Sequence, residues 1–177
     1  MRPKTRRRSF LRELIEVVAI AVLIAFVIQT WVFETFVVDG DSMRDTLHHG
    51  DRVIVNKFIY RLRPPEAGDI VVFPYPADGD RDLIKRVVAT PGEVVEVRDG
   101  QVHVNGRVVE ENYLTRPDHQ DFAPQKVPPR SVFVMGDNRG NSDDSRAFGM
   151  IHFDDIRGKT WAIFWPLSSL CLLGVAS

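Results

Sequence analysis

The sequence predicts a mostly β fold that is preceded by one membrane-spanning helix. An almost uninterrupted apolar run at 14–33 predicts the helix, and short β-type runs separated by Gly, Pro, Asn and Asp predict the β fold after it. The 177 residues suffice for one domain of ordinary size plus an anchor. We therefore expect a basic N-terminus at 1–13, a transmembrane anchor at 14–33 and a β domain at 34–177.

The predicted anchor is long enough to cross a bilayer, since about 20 helical residues cover the roughly 30 Å hydrocarbon core. Glu16 follows the basic cluster closely enough to reach the headgroups, and Trp31 and Phe33 mark the far interface. A cleavable secretory signal shares the basic start and the apolar run. No small-x-small cleavage site follows the run, however, so an uncleaved anchor is favoured. The basic residues before it predict a single pass with a cytoplasmic N-terminus and an external β domain.

Several short runs have the composition of β-strands: 52–55, 70–73, 83–88, 94–97, 102–104, 132–135 and 161–165. Asp99-Gly100 and Asn105-Gly106 predict type I′ turns, whose two central residues need positive φ.

The two turns indicate a β meander inside a smaller β insertion at about 93–130, in which the Pro-containing stretch 113–130 is a long connection. The apolar C-terminal segment 167–175 is too short to cross a bilayer by itself. We expect it to pack in the core or to contact the membrane.

The charge balance does not indicate nucleic-acid binding, since 23 Lys and Arg residues stand against 24 Asp and Glu residues and the formal net charge is −1. The single cysteine, Cys171, excludes an intramolecular disulfide and leaves no Cys pair for a metal. We expect neither a metal nor a cofactor.

Three blocks after the apolar run carry candidate chemistry: VDGDSM at 38–43, IKRVV at 84–88 and GDNRGNSDDSR at 136–146. An isolated serine hydroxyl is a weak nucleophile, so Ser42 needs a base within hydrogen-bond reach. His48 and His49, with acidic neighbours, suggest a Ser-His-Asp triad. A histidine six residues along is placed by the local chain, however, so we interpret both as polar residues of a turn.

Lys85 is the other candidate base. If 83–87 is a strand, alternation places Leu83, Lys85 and Val87 on one face, where burial would lower the pKa of the amine. The opposite face, with Ile84, Arg86 and Val88, is just as mixed, since it also combines apolar residues with a charged one. The pattern alone therefore leaves the role of Lys85 open.

The loop at 136–146 has two interpretations from its residues. It is either a tight turn rich in side-chain-to-backbone hydrogen bonds or a calcium loop built from its Asp and Asn oxygens. The spacing is not that of an EF-hand, and Arg139 and Arg146 would oppose a cation. The turn is therefore favoured.

In this order, the three blocks resemble those of type I signal peptidases, and the resemblance extends from about residue 14 to residue 165. It implies a signal-peptidase-type antiparallel β catalytic domain with a smaller β insertion, anchored in the bacterial cytoplasmic membrane. It also implies a serine endopeptidase that removes N-terminal signal peptides from exported preproteins after small residues, at sites of the Ala-x-Ala type. The implied partners are preprotein signal peptides, membrane lipids and a neighbouring secretion translocon.

The resemblance implies a role for each matching residue. Ser42 is the nucleophile and Lys85 its general base. Ser142 hydrogen-bonds and orients the lysine amine, and Asp144 and Arg146 form a supporting ion pair. Two further residues belong to the same network: Asp137 and Ser145.

Another set of residues matches or neighbours the family's oxyanion and pocket positions: Gly40, Met43, Phe36, Val38, Leu47 and Ile84. Gly40 stands where some family members have a second serine, so the backbone N–H of Ser42 becomes the expected oxyanion donor. Asp45 replaces the usual proline of the serine block, which removes a fixed dihedral but no chemical group.

Two other functions are compatible with the residues. A Ser-Lys hydrolase that cleaves itself would need a flexible cleavable segment, for which the neighbourhood of Ala123 is the candidate. A non-catalytic membrane-anchored β module would keep the strands without needing either reactive side chain.

Overall fold

Two antiparallel β-sheets and an N-terminal helix form the part of the chain that the structure, a computed structural model, describes: residues 6–77, 79–114 and 120–173. The helices and strands have these bounds: α1 Arg6–Trp31, β1 Phe33–Val37, β2 Arg52–Asn56, β3 Ile70–Pro74, β4 Asp82–Ala89, β5 Val94–Arg98, β6 Gln101–Val104, β7 Arg107–Val108, β8 Phe122–Lys126, β9 Ser131–Met135, α2 Ser145–Phe148, β10 Ile151–His152, β11 Gly158–Trp165 and β12 Cys171–Leu172.

Helix α1 begins at Arg6, ahead of the predicted start at residue 14. The prediction of a transmembrane anchor at 14–33 is not confirmed, because none of the helices that the described residues form is both long and apolar enough to cross a membrane. Arg12 and Glu16 form an exposed ion pair on this helix, with Arg12 Nε 3.0 Å from a Glu16 carboxylate oxygen. The side chains of residues 27–30, which belong to the predicted span, lie outside the described ones.

The main sheet has eight strands in the order β1-β2-β11-β3-β4-β9-β10, with β12 paired to β11. All neighbouring strands are antiparallel, so the predicted antiparallel β fold is confirmed. All the predicted runs lie within strands. Strand β11 starts earlier than predicted, at Gly158, where a Cβ would meet the Asn56 carbonyl oxygen of β2 at 2.5 Å. Glycine permits this close approach of the two strands.

The second sheet has four strands in the order β7-β6-β5-β8. The predicted turns connect its first three strands in the chain. Asp99 and Gly100 have φ of 53° and 75°, and Asn105 and Gly106 have the same two values. Both central residues of each turn therefore adopt the positive φ that the turn prediction requires.

The predicted long connection at 113–130 is wrong in one respect, since it contains β8. The strand accommodates Pro124 because β8 lies at the sheet edge, where this residue need not donate a ladder hydrogen bond. Residues 115–119 of the connection lie outside the described ones. Ala123, the candidate for self-cleavage, lies within this strand. A flexible cleavable segment at that position is therefore not supported.

Three clusters of buried apolar side chains stabilise the fold. One of them spans the two sheets, because Val95 and Val102 of the second sheet pack with Phe133 and Met135 of the main sheet. At the C-terminal end, Leu173 is buried in the core while Leu170 and Leu172 are exposed. The predicted segment 167–175 thus contributes one core residue, and residues 174–177 lie outside the described ones.

Candidate active site

Strand β4 places Lys85 inside the main sheet. Its ladder partner is Val71 of β3, and neighbouring side chains on this face include the apolar Leu83 and Val87. The lysine is 2% exposed. Lys85 thus lies on the predicted strand face, and its side chain is buried there.

Ser42 lies against this lysine although the two residues are 43 positions apart in the chain, and Lys85 Nζ is 2.6 Å from Ser42 Oγ. The backbone N–H of Asn138 donates to the Ser42 carbonyl at 2.9 Å. The side-chain amide of Asn138 donates to the Asp41 carbonyl at 3.0 Å. The loop after β9 therefore holds the turn that contains Ser42 by hydrogen bonds to two backbone carbonyls of that turn.

Burial lowers the pKa of the Lys85 amine from its usual 10.5 to about 8. The negative charges of Asp144 and Asp143 oppose this shift but do not cancel it. An amine with this pKa is partly neutral near neutral pH, so it can accept a proton.

The two histidines do not contact Ser42. His49 is exposed and accepts a hydrogen bond from the Gly40 N–H at 3.2 Å. His48 is exposed and lies 3.9 Å from an Asp51 carboxylate oxygen. The geometry therefore favours the lysine over the histidines as the base.

Arg86, next to Lys85 in β4, forms a buried ion pair with Asp137. Its Nε and Nη2 donate to the two Asp137 carboxylate oxygens at 2.9 and 2.7 Å. The Thr46 hydroxyl donates to the same carboxylate at 2.5 Å and accepts from Arg86 at 3.1 Å. The network thus joins the serine turn, strand β4 and the loop after β9.

Asp144 and Arg146 form the predicted ion pair, with Arg146 Nε and Nη2 each 2.8 Å from an Asp144 carboxylate oxygen. The Gly136 N–H also donates to Asp144, at 3.1 Å. Burial alone would raise the pKa of Asp144, but Arg146 and the Gly136 N–H outweigh it and lower that pKa. Ser145 accepts from the Val134 N–H at 2.9 Å, which attaches the loop to β9.

Ser142 departs from its predicted contact. Its hydroxyl is buried and forms no hydrogen bond of normal geometry among the described residues, so the expected hydrogen bond to Lys85 is absent. The hydroxyl lies near the Asp144 carboxylate and helps to lower the pKa of that group. A buried hydroxyl without a partner calls for an explanation, and a part in catalysis is one of the known ones.

The role that the family resemblance implies, orientation of the Lys85 amine by Ser142, predicts that Ser142→Ala lowers kcat by about tenfold or more, because a misplaced amine transfers protons poorly. KM and the free energy of unfolding should stay near wild type, since the hydroxyl forms no hydrogen bond of normal geometry with the described residues. Peptide kinetics measure kcat and KM, and urea unfolding measures the free energy of unfolding. The matched control is Ser145→Ala, which leaves the Val134 N–H unpaired and should cost about 1–3 kcal/mol. An unchanged kcat in Ser142→Ala would contradict the role.

Gly136 lies close to the candidate site, although the sequence patterns did not predict this placement. Its neighbour Met135 pairs with Arg86, so Gly136 lies across the sheet from Lys85. A Cβ here would lie 2.5 Å from the Ser42 carbonyl oxygen and 2.7 Å from Ser142 Cβ. Only glycine lets these groups approach so closely. A glycine in a polar loop is typical of any turn, however, so no sequence pattern marked this one.

A cleft of about 310 Å³ opens beside Ser42 between the segment after β1 and the start of β4. Of the predicted pocket residues, Phe36, Val38, Met43 and Ile84 line it. Leu47 does not, because it is fully buried in the core. Gly40 is also absent from the lining and instead supplies the positive φ, 93°, of the turn before Ser42.

Known proteins resemble this chain along most of its length. The family model described as signal peptidase, peptidase S26, matches residues 11–165. Signal peptidase I of Leptolyngbya laminosa is 40% identical, over 94% of this chain and 85% of that protein. Signal peptidase I S of Bacillus subtilis is 38% identical, over 94% of this chain and 95% of its own.

A crystal structure of a signal peptidase I from Enterococcus faecalis is 35% identical and superposes with a TM-score of 0.50. The match covers 55% of this chain and 97% of that one. The antiparallel β fold agrees with this likeness. The chain belongs to the signal peptidase family, peptidase S26, and is a serine endopeptidase that acts on signal peptides.

Proposed function

We propose that the enzyme cleaves signal peptides from exported preproteins with Ser42 as nucleophile and Lys85 as general base. The observation that carries the proposal is the 2.6 Å contact between the serine hydroxyl and a buried lysine amine. A base at hydrogen-bond distance is what an unactivated serine requires.

In the proposed reaction, neutral Lys85 takes the Ser42 proton as Oγ attacks the scissile carbonyl carbon. The Ser42 N–H, to which no described residue is hydrogen-bonded, donates to the oxyanion. The protonated amine then gives its proton to the leaving amino group, and an acyl-enzyme forms. Lys85 next activates a water that hydrolyses the ester and frees Ser42.

The cleft supports a preference for small residues at the first and third positions before the cut. Its walls carry bulky apolar side chains, Phe36, Val38 and Ile84, next to the nucleophile. Such walls leave shallow pockets, which exclude large substrate side chains.

We also propose that α1 attaches the enzyme to the cytoplasmic membrane, with the β domain on the outer side. Between Phe10 and Phe26 the helix exposes large apolar side chains on all sides. Exposed apolar surface of this extent marks an interaction site, and lipid is the matching partner.

In intact spheroplasts, added protease should therefore degrade the β domain. A β domain protected until the cells are lysed would contradict this placement.

Peptide cleavage tests the chemistry and the specificity together. One peptide carries an Ala-x-Ala site, and a matched peptide has Phe at the position before the cut. Wild type should cleave the first and spare the second, whereas Ser42→Ala should cleave neither. Equal cleavage of both peptides would overturn the specificity, and an active Ser42→Ala enzyme would overturn the dyad.

A further inference from the structure

Glu111 and Tyr113 lie after β7, in the smaller β insertion and outside the three polar blocks. Glu111 forms a bidentate ion pair with Arg139 of the loop after β9. Arg139 Nη1 donates to Glu111 Oε2 at 2.9 Å, and Nη2 donates to Oε1. The side chains are 8% and 1% exposed, so water stabilises neither charge. The insertion therefore neutralises a buried arginine of the candidate active-site loop.

Arg139 connects Glu111 to the surroundings of Ser42 through Gly136. Its Nε donates to the Gly136 carbonyl at 3.0 Å. Gly136 is the residue against which the Ser42 carbonyl and the Ser142 side chain pack. The Arg139 carbonyl accepts a hydrogen bond from Arg146 Nη2 at 2.9 Å, which connects the Asp144–Arg146 ion pair to Arg139. A shift of Arg139 would thus move the support of the nucleophile.

Tyr113 contacts a second arginine, Arg86 of β4. Its hydroxyl donates to Glu111 Oε1 at 2.7 Å. The Arg86 guanidinium lies 3.9 Å from the centre of the Tyr113 ring, and Arg86 adjoins Lys85 in β4. Burial and the Glu111 carboxylate raise the pKa of Tyr113, so it stays a donor over the working pH range. Glu111 therefore contacts Arg139, Tyr113 contacts Arg86, and a hydrogen bond joins Glu111 to Tyr113.

We propose that Glu111 and Tyr113 are positioning residues for the signal peptidase reaction: they fix Arg139 and Arg86 so that Ser42 and Lys85 keep their hydrogen-bond geometry. The proposal rests on the Ser42–Lys85 dyad proposed above. It gives the insertion a function in the reaction, because a displacement of about 1 Å at a reacting group can cost about 100-fold in rate.

The test compares Glu111→Gln with Glu110→Gln, a matched change at the exposed neighbouring residue. Kinetics on the Ala-x-Ala peptide are measured well below each melting temperature. Glu111→Gln should lower kcat by about tenfold or more and leave KM within about twofold, since orientation and not substrate binding is lost. Glu110→Gln should match wild type. A kcat of Glu111→Gln equal to that of Glu110→Gln in the folded state would overturn the proposal.

Tyr113→Phe keeps the test decisive if Glu111→Gln does not fold. It removes only the hydroxyl that donates to Glu111 and keeps the ring under Arg86. The expected result is a smaller loss of kcat with unchanged KM. A fall in melting temperature alone, with wild-type kcat, would make the contact structural and overturn the proposal. Ser42→Ala is assayed in parallel: if it is active, the dyad fails, whereas an inactive Ser42→Ala beside a fully active Glu111→Gln refutes the positioning role alone.

Discussion

Lys85→Met is expected to lose about 10²- to 10⁴-fold in kcat, the range that a general base contributes. Methionine has similar length and fills the apolar site, but it cannot accept the Ser42 proton. Lys85→Arg should be equally impaired, because a guanidinium stays protonated at accessible pH. Peptide kinetics at pH 8 measure both variants. Turnover by the arginine variant near the wild-type rate would show that Lys85 contributes charge and not basicity.

The same methionine variant should be more stable than wild type at neutral pH. The amine has a pKa of about 8 in the folded enzyme against its usual 10.5, so folding buries a charge at a cost on the order of 3 kcal/mol. The cost is fully present below the folded pKa and disappears as pH rises to the unfolded value. The gain of Lys85→Met should therefore fade between about pH 8 and about pH 10.5.

Urea unfolding at several pH values measures this gain, and Lys126→Met at an exposed position of β8 is the control. The control should stay within about 0.5 kcal/mol of wild type. A Lys85→Met protein that is less stable than wild type at pH 7 would contradict the burial argument.

Asp144→Ala is expected to destabilise the fold by about 3–5 kcal/mol, since it removes the buried carboxylate that pairs with Arg146. It also leaves the Gly136 N–H without its acceptor. The carboxylate has a lowered pKa, so its contribution is fully present above the usual aspartate value and is lost as pH falls through the folded one. The difference from wild type should thus shrink in acid.

The matched control is Asp154→Ala, which breaks an ion pair whose two side chains are 61% and 69% exposed. Its cost should be below about 1 kcal/mol. Chemical unfolding at pH 7 compares the two variants. An equal, small loss in both would show that burial does not strengthen the Asp144–Arg146 pair.

Local patterns sufficed for most of the sheet. Asp99-Gly100 and Asn105-Gly106 fix their turns by backbone sterics alone, so nothing distant could change them. Strand β8 was missed because the acceptability of Pro124 depends on a sheet edge, which is a tertiary property. Strand β1 was missed because it continues directly from the apolar run of α1.

Local patterns also predicted only part of the candidate active site. Alternation placed Lys85 beside Leu83 and Val87, but it could not decide which face meets Ser42, 43 residues away. The resemblance to a known family provided that pairing. Leu47 was assigned to the pocket because it lies close to Ser42 in the chain, yet it is buried in the core.

Glu111 and Tyr113 had no signal in the sequence. They follow the two-residue strand β7 and belong to none of the three polar blocks. Only the fold brings them to Arg139 and Arg86. A Glu or Tyr side chain needs a partner only when it is buried, and the sequence alone does not show that these two are buried.

The pH dependence of kcat/KM tests the central claim most directly, since its limbs report the pKa values of groups in the free enzyme. With Lys85 as the base, activity should rise with pH along a limb whose midpoint lies at about 8. The limb should persist when His48 and His49 are both replaced by Asn. A midpoint near about 6.5 that disappears in the histidine variant would identify a histidine as the base and contradict the lysine mechanism.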